Sequence, residues 1–255
     1  MSMIKTREQI VLMREAGRVV ADTLAAVRGA AGVGVSLLEL DALAAETIAR
    51  AGATPAFLDY HPRWAPVPFP GVICTSVNDA VVHGIPNGYR LQDGDLLSVD
   101  CGAFLEGWCG DAALSFVVGT ADPEDQALID ATDAALARGI GAARIGNKMG
   151  DLAYAIGGES RRAVYGLLAD HGGHGIGRTM HAEPSVPNDG RPGRGIRLTE
   201  GLVIAIEPML ILGGKDGYYR DDDGWTLRSA NGRRAAHSEH TVAITAEGPQ
   251  ILTLP

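Results

Sequence analysis

The sequence predicts an α+β fold of two similar halves, with helices covering one face of an antiparallel sheet. Three observations carry this. Helix, helix, strands is the order of the first half, and the same order recurs in the second. The longest apolar runs, such as residues 202–206, are strand-sized and far from the roughly 20 residues that span a bilayer. A chain of 255 residues, 46% hydrophobic and 21% charged, can bury one sizeable core, with one domain as plausible as two.

The elements follow in order. Thr6-Arg7-Glu8-Gln9 reads as a capping box, and the helical spacing of Ile10, Met13, Ala16, Val20 and Leu24 carries the helix to about Val27. Ser36-Leu37-Leu38-Glu39 is a second capping box, with Gly52 as its stop. Asp122-Pro123-Glu124 opens a third helix with proline at the first helical position. A fourth is expected from about Gly150 to Ala169, weakened by Gly157-Gly158. Residues 71–77, 96–103 and 112–118 are strand candidates in the first half. Residues 202–206, 225–227 and 239–245 are those of the second, with a tight-turn signal at Asn231-Gly232 between the last two.

Charge and cysteine usage exclude several functions. A formal net charge of -9 argues against direct nucleic-acid binding, since phosphate needs basic patches. The N-terminal residues carry charges and no secretory apolar run. Cys74, Cys101 and Cys109 lack metal-finger spacing and fit a reducing compartment, with Cys101 and Cys109 read as small buried hydrophobes. A soluble cytoplasmic protein without membrane attachment is expected. Neither a Gly-x-Ser-x-Gly elbow nor a His-Glu-x-x-His helix occurs, so serine-hydrolase and helical zinc-site chemistries have no footing.

The most informative stretch is residues 96–118, LLSVDCGAFLEGWCGDAALSFVV, which reads as two strands joined near Leu105-Glu106. Asp100 and Asp111 are centred on that turn, so a tight turn sets them face to face on one side of the sheet. Directly paired residues have Cβ atoms roughly 4.5–5.5 Å apart, and like charges there destabilise the pair. In such apolar surroundings either one aspartate is protonated or cations sit between them; a shifted register with both solvated is the bland alternative.

Other polar groups sit in similarly apolar strands. Glu207 ends the run 202–206, and Glu239 precedes His240-Thr241-Val242-Ala243-Ile244. An ionised Glu there is costly unless paired or metal-bound. His174 lies in Gly172-Gly173-His174-Gly175-Ile176-Gly177, whose glycines leave the imidazole accessible. His181 and His83 are further candidates, whereas His61, His171, His237 and His240 are read as structural. Four carboxylates and one imidazole suit a pair of Mn, Fe, Co or Zn ions rather than a structural zinc, and paired metals of hydrolases sit roughly 3.5–4 Å apart.

These residues carry a resemblance. The chain resembles type I methionine aminopeptidases, the pita-bread fold of peptidase family M24. Its marks are Ser76-Val77-Asn78, His83-Gly84-Ile85-Pro86, Val99-Asp100-Cys101-Gly102, Gly110-Asp111, His174-Gly175-Ile176-Gly177, Ile206-Glu207-Pro208-Met209 and Glu239-His240-Thr241. Their joint order and spacing, over nearly the whole chain, make the resemblance specific. It implies one catalytic domain, acting as a monomer on the N-termini of peptides and nascent proteins near the ribosome. It implies two divalent ions, with Asp100 on one, His174 and Glu207 on the other, and Asp111 and Glu239 bridging. A hydroxide bridging the metals would attack the methionyl carbonyl, with Glu207 as proton acceptor. His181 would hydrogen-bond the carbonyl oxygen, and His83 would contact the scissile nitrogen or pass it a proton. By position Phe69, Cys74, Met180 and Trp225 would line an apolar methionine pocket; for each of them core packing is the bland alternative.

The chain departs from the family in places. Its residues 61–71, His-Pro-Arg-Trp-Ala-Pro-Val-Pro-Phe-Pro-Gly, are longer and richer in proline than the usual stretch before the cysteine, and are expected at the pocket rim. Met180 stands where Phe is frequent, and Val82 where Cys is. Two rivals share the fold. An Xaa-Pro aminopeptidase or prolidase usually carries a large N-terminal domain, whereas here the catalytic-type region begins near Met1. A non-catalytic binding module usually loses metal ligands, and all five positions here keep ligand-competent side chains.

Overall fold

The computed structural model describes residues 3–168 and 170–255. The helix signals act where they stand. Helix α1 (Arg7–Ala30) opens on a reciprocal cap, with Thr6 Oγ1 accepting from Gln9 N at 3.3 Å and Gln9 Oε1 accepting from Thr6 N at 3.0 Å. It continues one turn beyond Val27. Helix α2 (Leu37–Arg50) repeats the device through Ser36 and Glu39. Helix α3 (Pro123–Ala142) starts where the Asp122 carboxylate accepts from Glu124 N at 2.8 Å. Helix α4 (Met149–Ala163) ends earlier than expected, because Val164 turns left-handed at φ +58; Ala169, the expected end, lies outside the described residues. Among the described residues no helix is long and apolar enough to cross a membrane.

The first half contributes strands β1 (Thr54–Pro55), β2 (Cys74–Val77), β3 (Ala80–Val82), β4 (Leu96–Leu105) and β5 (Trp108–Val117). The second contributes β6 (Gly166–Leu167), β7 (Gly172–Gly175), β8 (Ala182–Pro187), β9 (Val203–Ile206) and β10 (Met209–Ile211). It continues with β11 (Tyr218–Arg220), β12 (Leu227–Ser229), β13 (Ala235–His237), β14 (Glu239–Thr245) and β15 (Gly248–Ile251). A nine-stranded sheet runs β1-β4-β5-β14-β9-β7-β8, with β2 beside β4 and β15 beside β14. Its pairings are antiparallel, and the two halves meet where Glu239 and His240 of β14 face Ala113 and Ala112 of β5. Two three-stranded sheets, β13-β10-β6 and β11-β12-β3, complete the described strands.

One face of the large sheet is apolar and carries the helices. Leu97, Val99, Cys101 and Ala112 pack with α1 and α2, while Ile204, Ile206, Val242 and Ile244 pack with α3 and α4. This is the helices-on-one-face arrangement expected from the sequence, repeated in both halves. Close packing is enforced at Gly110, where an added Cβ would lie 2.8 Å from the Gly17 Cα of α1.

Two turn readings need correction. The β4–β5 loop is Glu106-Gly107, not Leu105-Glu106. Both loop residues have positive φ, +50 and +75, the backbone of a two-residue hairpin turn whose twist matches its strands. Asp100 therefore faces Ala113, and Asp111 faces Gly102. The aspartates are diagonal neighbours rather than direct partners. A slip of two residues leaves both on one face, since the side-chain period is two. Asn231-Gly232 does turn, with Gly232 at φ +66, but it closes no hairpin: β12 pairs with β11 and β3, and β13 pairs with β10.

Candidate metal centre

The sheet face turned away from the helices carries the polar groups. Strand register puts Asp100 of β4, Asp111 of β5 and Glu239 of β14 on this side together, because Asp100 and Glu239 both face Ala113 and Asp111 is diagonal to them. His174 enters from β7, and Glu207 follows the last residue of β9. His174 Nε2 lies 3.8 Å from Asp111 Oδ2 and 3.8 Å from Glu207 Oε1. Ligand atoms of Asp111, His174 and Glu239 all lie within 4.8 Å of one another. Gly102 makes the crowding possible: a Cβ there would sit 3.2 Å from Asp111 Oδ1 and 2.8 Å from the Phe57 ring.

The cluster is short of protein partners. Asp100 Oδ1, Asp111 Oδ1 and Glu239 Oε1 are buried without a hydrogen-bond partner. Such orphans cost roughly 1–3 kcal/mol each, and more for charged groups. Burial, reinforced by the neighbouring carboxylates, pushes Asp111 and Glu239 far above the usual carboxylate range. Burial also raises Asp100, to about 7, with the Glu207 charge adding and His237 opposing. Glu207 goes the other way. Burial opposes its ionisation, but the imidazoles facing it, His237 at 3.5 Å foremost and then His174 and His181, outweigh this and hold it at about 2. Carboxylates driven to share protons, with oxygens aimed at one another, are a donor set that divalent cations satisfy.

This floor closes a cavity of about 470 Å³. Phe69, Cys74, Met180 and Trp225 line its wall, together with His83 and His181. His181 stacks on Tyr60, with ring centroids 5.2 Å apart, and leans on His174 at 4.1 Å. Burial first, and then His174, lowers His181 to about 3. His83 sits at φ +60, and its Nδ1 is buried with no partner. Burial lowers it to about 4, with Glu207 pulling upward and His171, His237 and Arg220 pushing down. Both imidazoles are neutral at pH 7 and act through hydrogen bonds rather than charge. Cys74 is a buried thiol raised well above its ordinary value by burial and then by Asp100, so it presents a soft, uncharged surface. Residues 61–70 form the rim, tied down where Trp225 Nε1 donates to Val67 O at 2.9 Å.

All the candidate residues named from the sequence come to this one cavity. Others were overlooked. His237, read as structural, places a buried Nε2 3.5 Å from Glu207 Oε2 and 3.8 Å from Glu239 Oε2. With those two glutamates it forms a second group of donors within 4.8 Å. The signal was its spacing, since His237 stands two residues before Glu239. Tyr60, Trp64, His171 and Arg220 also line the cavity. His61 and His240 have ordinary structural partners, Ala65 O at 3.2 Å and Thr253 Oγ1 at 2.8 Å.

Known proteins are similar to this chain in sequence and fold. The profile of Metallopeptidase family M24 matches residues 11–246. Methionine aminopeptidase 1 of Mycobacterium tuberculosis is 51% identical over 249 residues, covering 95% of this chain and 91% of the relative. The methionine aminopeptidase of Clostridium acetobutylicum is 44% identical over 255 residues, covering 100% and 99%. The crystal structure of methionine aminopeptidase from Rickettsia prowazekii superposes with a TM-score of 0.94 at 36% identity, covering 98% of this chain and 99% of that one. The fold is therefore the pita-bread fold, and the chain belongs to metallopeptidase family M24 and, within it, to the methionine aminopeptidases.

Proposed function

We propose that this protein removes N-terminal methionine from peptides and newly made proteins by metal-dependent hydrolysis. Asp100, Asp111, His174, Glu207 and Glu239 hold two divalent cations drawn from Co, Mn, Fe or Zn. The observation that carries this is the set of unpartnered, buried carboxylate oxygens converging on one sheet face. Bound cations supply the charge that polarises a carbonyl and makes water nucleophilic near neutral pH.

The chain's own groups do the rest. The side chain of methionine enters between Phe69, Cys74, Met180 and Trp225, where a flexible thioether packs well against aromatic and sulfur atoms. Neutral His181 donates a hydrogen bond to the methionyl carbonyl oxygen, stabilising the charge that develops there. Water attacks the carbonyl carbon and gives a proton to Glu207, which His237 and His174 keep ionised in advance. That proton reaches the amine as the C–N bond breaks. His83, neutral and with a free ring nitrogen, hydrogen-bonds the scissile nitrogen. One catalytic domain over residues 1–255 suffices, working as a cytoplasmic monomer on N-termini emerging near the ribosome. The acidic net charge of -9 supports action without direct nucleic-acid or membrane contact.

The test is hydrolysis of Met-Ala-Ser along a metal-dependence series. Activity should vanish with a chelator and return with divalent metal. Asp100→Ala and Glu207→Ala should each lose roughly 10³-fold or more, the several kcal/mol that metal-assisted hydrolysis draws on. Retained activity at saturating metal in either variant, or cleavage of Ala-Pro peptides alone, would overturn the assignment.

A further inference from the structure

Residues 61–70 are the stretch in which this chain is longer and more proline-rich than the family pattern, and they build part of the cavity mouth. The segment is anchored. Phe69 is buried, its N–H donates to Tyr60 O at 2.9 Å, and its carbonyl accepts from Asp59 N at 2.9 Å. Trp64 projects from it, 49% exposed. Its ring meets Trp225 edge-on at 4.9 Å and lies nearly parallel to His83 at 6.3 Å. On Trp64 rests Arg220 of β11, with its guanidinium carbon 4.3 Å from the ring centroid.

Arg220 is a cation held in place without a counter-charge. Its Nη1 donates to Gly224 O at 3.3 Å, and among the described residues no carboxylate lies within ion-pair distance of it. Of the acids that follow it, Asp221 and Asp223 are engaged elsewhere, and the Asp222 carboxylate makes no ion pair with it. Asp221 pairs with Arg228 at 2.5 Å, and Asp223 accepts from the N–H groups of Trp225 and Thr226 at 2.8 Å. Arg220 nonetheless lines the same cavity as the catalytic groups. One ring contact and one stacking contact separate it from His83. About two or three residues of extended chain cover such a reach, at roughly 3.3 Å per residue.

We propose that Arg220, held flat on Trp64, is a specificity-determining residue that favours substrates with an anionic side chain at the third or fourth residue. The inference rests on the aminopeptidase reading above, which puts the scissile nitrogen beside His83. A guanidinium braced by an aromatic face loses little freedom on meeting a carboxylate. Its exposure to solvent limits the gain to the range of a surface ion pair, about threefold to fivefold.

The experiment compares C-terminally amidated Met-Ala-Glu-Ser with Met-Ala-Lys-Ser, and Met-Ala-Ser-Glu with Met-Ala-Ser-Lys, using the metal-loaded protein. Wild type should favour the Glu peptide of one pair or both by about threefold to fivefold in kcat/KM, expressed in KM and shrinking with added salt. Arg220→Gln should abolish the preference and Arg220→Glu should reverse it. Trp64→Ala should weaken it by removing the platform. Equal kcat/KM within both pairs in wild type, or a preference that survives Arg220→Glu, would overturn the inference while leaving the activity intact. Failure to release methionine from any of the four peptides would overturn the underlying activity, and this inference with it.

Discussion

The floor and the rim of the cavity are built on opposite terms. The floor stands on paired strands, and its ionisable groups are buried at a cost that the protein alone does not offset: Asp100, Asp111 and Glu239 each leave an oxygen without a partner. The rim stands on residues 61–70, outside any strand, and is held by ordinary apolar and hydrogen-bonded contacts around Phe69 and Trp225. The unoffset electrostatic cost therefore sits in the floor, while the rim supplies packing as well as the wall of the pocket. Polar substitutions at the floor should cost activity while relieving the metal-free fold, whereas truncation at the anchored rim should cost stability first.

The largest stability effect is expected at the rim's anchor. Phe69 is 2% exposed and packs edge-on against Phe57 and Trp225, so Phe69→Ala should destabilise by about 3–5 kcal/mol. Chemical denaturation measures this, and a loss below about 1 kcal/mol would erase the contrast between rim and floor.

Next comes the pH dependence of the metal-free protein. Asp100, Asp111 and Glu239 have folded pKa values above their ordinary ones, so the folded state holds protons that the unfolded state releases. Their contribution is present below about pH 4 and is lost as pH rises, for Asp100 through about 7. Glu207 has the opposite sign, but its window lies between its ordinary 4.5 and about 2. His83, His181 and His240, lowered to about 4, 3 and 4, add stability as pH rises to their ordinary 6.5. Metal-free Tm should therefore fall from pH 6.5 to pH 8, above that window, and Asp111→Asn should flatten the fall. A metal-free Tm that rises over this range would contradict the account.

The smallest of the three effects concerns His237. Its ring lies against Glu207 and Glu239, so His237→Asn should weaken metal affinity about 10- to 100-fold, the usual cost of losing a group that orients metal-binding side chains. Calorimetric titration with Mn²⁺ reads it. Unchanged affinity would mean that His237 only fills space.

Why the floor's geometry was legible and the rim's long-range contacts were not follows from the same contrast. Alternation along a strand assigns faces by parity, so Asp100 and Asp111 fell on one side although the turn was placed one residue early; the true loop, Glu106-Gly107, shifts the pairing by two and leaves the face unchanged. Capping boxes likewise set two helix starts, because the cap is a local bond between residues three apart. His237 escaped because Ser238 separates short β13, paired with β10, from β14, so no strand pattern linked it to Glu239. The rim's Trp64 and Arg220 are 156 positions apart in the numbering. Their contact is made by tertiary packing, which no local periodicity announces.

The claim at the centre is that the carboxylate face is a cation site. Isothermal titration of metal-free protein with Mn²⁺ or Co²⁺ tests it most directly. The account predicts two ions bound per chain in wild type, with binding severely weakened in Asp111→Asn. A wild type that binds no divalent ion, or an Asp111→Asn variant that binds both as tightly, would contradict it.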